Sequence, residues 1–92
     1  MGIDQVIENV VHKLGDLDRV FLCGDYASGR ANGTIDFIFV GENLDSDYLY
    51  RLVTKAEKLI SRKVIYKLMS EKEFNEHATF SGNESVLLLW EA

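Results

Sequence analysis

Proline is absent from this 92-residue chain, and cysteine occurs once, at Cys23. No proline-rich, low-complexity or repeated stretch marks a linker, so a single domain over residues 1–92 is the expectation. One thiol cannot close an internal disulfide, which points to a reducing compartment. No apolar run reaches the roughly 20 residues that span a bilayer. The opening "MGIDQVIENV" has neither the uninterrupted apolar core of a secretory signal nor the Ser or Thr at its sixth position that myristoylation uses. A cytoplasmic protein with no membrane role is therefore expected. Basic residues are also scarce, ten Lys and Arg against fifteen Asp and Glu, for a net charge of −5. A broad nucleic-acid footprint needs clustered cations, so direct nucleic-acid binding is not expected.

What is present is hydrophobic periodicity. Ile3, Val6, Ile7, Val10, Val11 and Leu14 recur at helical spacing and Gly15 follows as a stop, which predicts a helix over 3–14. "RVFLC" is a short apolar run ending at Gly24 and reads as a buried strand. "TIDFIFV" is rich in β-branched and aromatic residues and predicts a second strand over 34–40, stopping at Gly41. Alternation puts Thr34, Asp36, Ile38 and Val40 on one face and Ile35, Phe37 and Phe39 on the other. "ENLDSD" is a turn with capping candidates. Leu49, Leu52, Val53, Ala56, Leu59 and Ile60 then mark an amphipathic helix. "KVIYKLM" is a third strand. Ser70 with Glu73 three residues later is a capping box opening a short third helix. "FSGNES" is a loop, and "VLLLW" is either a last strand or a short buried helix. The order is α-β-β-α-β-α with an apolar tail. It predicts an α/β (α+β) fold, a small mixed sheet with helices packed on it.

The segment Phe21 to Val40 carries the chemical interest. Gly24 permits a tight exit from the strand, and Gly29 and Gly33 let backbone pass close to a ligand. "DYASGR" can start a short helix whose first N–H groups attract phosphate; an ordinary tight turn is the plainer reading. Asp36 is the single acid on the following strand.

This order of parts resembles the nucleotidyltransferase superfamily that includes DNA polymerase beta, and is similar to its minimal members. Their signature is Gly-Ser-x-Ala-Arg-Gly, a spacer, then Ser-Asp-x-Asp on a strand. The matching positions here are Gly24, Asp25, Tyr26, Ala27, Ser28 and Gly29, then Gly33, Thr34, Ile35 and Asp36. The strand and "SEKEF" after helix 2 are similar to nucleotidyltransferase-like modules attached to winged-helix repressors. The resemblance implies nucleotide contacts from Gly24, Asp25, Ser28, Gly29 and Arg30, with Arg30 standing in for a basic residue at the Ser28 position. It also implies a divalent-metal site built on carboxylates at Thr34, Asp36 and a neighbouring-strand position near Ile65.

Of those three positions only Asp36 is acidic. A Thr hydroxyl is a neutral ligand and Ile is none, whereas Mg²⁺ wants oxygen donors that neutralise charge during transfer. Asp25 sits where a phosphate-contacting Ser is expected. Like charges about 4 Å apart repel by about 4 kcal/mol at an effective dielectric near 20. Asp25 also suits an N-cap.

The expectation is therefore a catalytically degenerate domain with Asp36 as a residual catalytic position. Its role would be regulatory, or the binding of a ligand or protein, with no cofactor. The alternative is an active minimal enzyme that uses Mg²⁺ to transfer a nucleoside monophosphate from a triphosphate to a protein or RNA acceptor. There Asp36 and Asp25 would hold the metal, helped by Glu42. The implied partners are a protein, a second copy or a nucleotide.

Cys23 reads as a small core hydrophobe, and His12 and His77 as surface or capping residues. Arg51, Lys55, Lys58, Arg62 and Lys63 read as a solvated helix face. Tyr48, Tyr50, Tyr66, Phe80 and Trp90 are candidates for core or interface.

Overall fold

A computed structural model describes residues 10–24, 34–80 and 86–92. Residues 10–14 are helical (α1). They are followed by β1 (Asp16–Cys23), β2 (Ile35–Glu42), α2 (Ser46–Ile60), β3 (Val64–Met69), α3 (Glu71–Phe80) and β4 (Val86–Glu91). The strands form one mixed sheet in the order β3-β2-β1-β4. β1 pairs antiparallel with both β2 and β4, while β2 and β3, joined through α2, run parallel. The expected mixed sheet with packed helices is what the chain forms. Among the described residues, no helix is long and apolar enough to cross a membrane.

The alternation in β2 sorts two cores. On one face Leu14, Leu17, Val20, Leu49, Val53 and Val64 are buried together, with Phe37, Phe39, Tyr48, Tyr66 and Trp90 among the residues packed around them. On the other face Phe21, Cys23, Ile38 and Val40 form a smaller cluster, joined by Met69 and by Phe74 of α3. Phe21 and Phe74 stack with centroids 4.5 Å apart.

The caps are where the sequence puts them. Asp45 caps α2, its carboxylate accepting from the Tyr48 N–H at 3.0 Å. Glu73 accepts from the Ser70 N–H at 3.0 Å and donates its own N–H to the Ser70 hydroxyl oxygen at 3.1 Å, a complete capping box.

Several expectations need correction. β2 does not stop at Gly41 but runs through it to Glu42. Gly41 lies opposite Leu17, next to an irregularity in the β1–β2 register. A Cβ there would sit 2.3 Å from the Asp16 carbonyl oxygen, so the glycine marks a close strand approach and not a strand end. "VLLLW" is a strand, the first of the two readings left open and not a buried helix, and Val86 to Leu89 are exposed. Leu59 and Ile60 fall outside the core: Leu59 is 86% exposed. Tyr50 is exposed as well, and the side chain of Phe80 lies outside the described residues.

Candidate functional site

Register places Asp36 in a row that crosses the whole sheet. Val86 of β4 pairs with Cys23 of β1, Cys23 with Asp36 of β2, and Asp36 with Ile65 of β3. Neighbouring strands lie about 4.8 Å apart, so Cys23 and Ile65 are the nearest cross-strand neighbours of the carboxylate. Asp36 is half-buried and its Oδ1 is shielded from solvent. The next row on this face holds Leu88, Phe21, Ile38 and Lys67. The position near Ile65 implied by the resemblance is thus the residue opposite Asp36, and it offers no ligand atom.

Thr34 stands exposed, just ahead of β2. Glu42 ends β2 at its far end, six residues from Asp36 and opposite Asp16. At about 3.3 Å per residue that is about 20 Å away, so Glu42 cannot share a metal with Asp36 and the expected rebuilt site loses this member. Among the described residues no group of three or more His, Cys, Asp or Glu side chains could hold a metal ion. A divalent cation of the magnesium kind therefore does not fit the described part of this site: a thiol is a soft donor and an isoleucine none.

Gly24 closes β1 with φ +72, the left-handed conformation that its role as a tight exit requires. Asp25, Tyr26, Ala27, Ser28, Gly29, Arg30 and Gly33 lie outside the described residues, as do residues 3–9 of the expected first helix and residues 81–85, most of the expected "FSGNES" loop. Cys23 is buried as expected. His12 is exposed and His77 half-buried. A shallow cavity of about 190 Å³ lies at the other end of the sheet, lined in part by Gly41, Glu42, Met69 and Glu73. It is remote from Asp36, and Glu73 is engaged in its capping box.

One cluster escaped the sequence reading. Arg19 donates from Nε to Glu71 Oε1 at 3.1 Å and from Nη2 to Oε2, a bidentate pair. Its guanidinium also lies 5.2 Å from the Phe21 ring centre and 5.0 Å from that of Phe74. Both charges are partly exposed, so the pair ties α3 to β1 with about 1 kcal/mol and the ring contacts add about as much. Nothing in the local sequence of Arg19 announces a partner 52 residues away.

No protein-family model matches the chain, and no curated protein matches it significantly. Solved structures do. A toxin–antitoxin structure, MntA–HpeT, with two aspartates two positions apart changed to glutamate aligns over 100% of this chain and 75% of the other, at TM-score 0.62 and 15% identity. A toxin–antitoxin structure with AMP-PNP aligns over 100% and 75%, at TM-score 0.62 and 17% identity. A Sulfolobus solfataricus protein provisionally assigned as a nucleotidyltransferase aligns over 95% and 75%, at TM-score 0.57 and 21% identity. A complex of a tri-AMPylated Shewanella oneidensis HEPN toxin with its MNT antitoxin aligns over 97% and 69%, at TM-score 0.57 and 16% identity. These identities speak for the fold. With its four-stranded mixed sheet and a parallel β2–β3 pair, this chain has the fold of nucleotidyltransferase-like domains.

Proposed function

We propose that this domain works through contact with a protein partner and does not carry out metal-dependent nucleotidyl transfer. The observation that carries the reading is the row Val86, Cys23, Asp36, Ile65. The transfer mechanism needs carboxylates that share a divalent cation with the triphosphate, and neither strand beside Asp36 supplies one. Thr34, two positions before Asp36, is neutral, whereas a fold neighbour has aspartates at two such alternate positions. Several fold neighbours are solved as toxin–antitoxin structures, which supports a protein partner.

A second reading, active transfer to a protein or RNA acceptor, draws on the neighbour solved with AMP-PNP and on the neighbour whose partner toxin is AMPylated. Incubation with labelled nucleoside triphosphates, Mg²⁺ or Mn²⁺, and candidate protein and RNA acceptors separates the two. The proposal expects no labelled acceptor. Metal-dependent labelling that Asp36→Asn abolishes establishes the second reading instead.

A further inference from the structure

The charge of this acidic chain is unevenly spread. Five of its ten Lys and Arg residues fall between positions 51 and 63. Within α2, Arg51, Lys55 and Lys58 follow one another at i, i+4 and i+7, and so share one face. Leu59 stands one turn beyond Lys55 on the same side. All four are exposed, Leu59 at 86%. Lys63 continues the basic character past the helix end and is exposed too.

Local roles do not account for this face. A cation in the last turn complements the helix dipole, which explains Lys58, and Arg51 lies four residues after Asp47, but neither role covers Lys55. The Arg19–Glu71 salt bridge involves none of these cations. The acid nearest to them in the sequence, Glu57, turns its carboxylate to the Val64 N–H at 2.8 Å. Asp47, one turn before Arg51, is the only acid in line with the row on α2. Leu59 contributes nothing to either core.

We propose that this face of α2 docks an acidic amphipathic helix of a partner protein, with carboxylates along Arg51, Lys55 and Lys58 and an apolar side chain over Leu59. From Arg51 to Leu59 the face spans about 12 Å of helix axis, a length that two to three turns of a partner helix cover. Charge complementarity selects the acidic partner. The aliphatic side chain among the cations selects protein over nucleic acid, since an RNA backbone gives Leu59 nothing to bury against. The proposal rests on the reading of the domain as a protein-binding module and names the surface and the kind of partner.

Fluorescence anisotropy tests it. The probes are a labelled 18-residue helical peptide with Glu at i, i+4 and i+7 beside a Leu stripe, the same peptide with Gln for Glu, and a twelve-residue oligouridine. The Glu peptide is expected to bind, at least about tenfold more tightly than the Gln peptide and the oligouridine, and to weaken as salt rises from 50 to 300 mM. Lys55→Glu with Lys58→Glu is expected to weaken it about tenfold or more, and Leu59→Ser several-fold. Arg19→Gln, away from this face, leaves binding unchanged. The variants on α2 should keep the circular dichroism spectrum and Tm of the parent.

Failure of the Glu peptide to bind overturns the proposal, as does equal binding of the Gln peptide, tighter binding of oligouridine, or indifference to the charge reversals. Sedimentation showing self-association that the same reversals abolish would reassign the face to a second copy and also overturn it. The transfer assay is independent of these outcomes: labelled acceptor would defeat the reading of the domain as non-catalytic while leaving peptide binding intact.

Discussion

The two faces of the sheet differ in breadth and in what they carry. One is a wide aliphatic layer under α1 and α2, built from Leu14, Val20, Leu49, Val53 and Val64 with aromatic residues at its margin. The other is a narrow cluster of Phe21, Cys23, Ile38 and Val40, joined by α3 through Phe74 and the Arg19–Glu71 pair. The wide face follows from burial alone. The narrow one holds Asp36, with Cys23 and Ile65 as its cross-strand neighbours.

The largest effect is expected on the wide face. Leu49 is almost fully buried in the first turn of α2, and Leu49→Ala should destabilise the domain by about 3 kcal/mol, read from urea unfolding. On the narrow face Phe74 is half-buried, so Phe74→Ala should cost less, about 2 kcal/mol, through loss of the Phe21 stack and the Arg19 contact. Equal losses would erase the distinction between the faces. At the strand crossing, Gly41→Ala forces a Cβ against the Asp16 carbonyl and should cost about 1–3 kcal/mol. Arg19→Gln and Asp45→Ala should each cost about 1 kcal/mol, the first by loosening α3 and the second by uncapping α2.

The regular elements were legible because their signals are local. The capping box at Ser70 and Glu73, the Asp45 cap and the alternation in β2 depend on residues a few positions apart. Ile65 as the neighbour of Asp36 was legible through the resemblance, since a parallel strand pair with a helical crossover fixes which residues meet. What was missed depends on residues far apart in the chain. Gly41 reads as a stop until Asp16 is seen against it. Arg19 finds Glu71 only once α3 lies on β1. Leu59 fits the apolar period of α2, yet that helix buries Leu49 and Val53 and leaves its last turn in solvent. The exposure of β4 sets it apart from β3, the other edge strand, which is largely half-buried, and its own composition does not reveal it.

The central claim is that the Asp36 row cannot hold a divalent metal. Titration of Mn²⁺ followed by electron paramagnetic resonance, on the parent and on a Thr34→Asp/Ile65→Asp variant that restores both missing acids, tests it directly. The parent is expected to bind no Mn²⁺ stoichiometrically at submillimolar concentration, and the restored variant to bind at least about tenfold more tightly. One tightly bound Mn²⁺ per parent chain, lost in Asp36→Asn, would contradict the account.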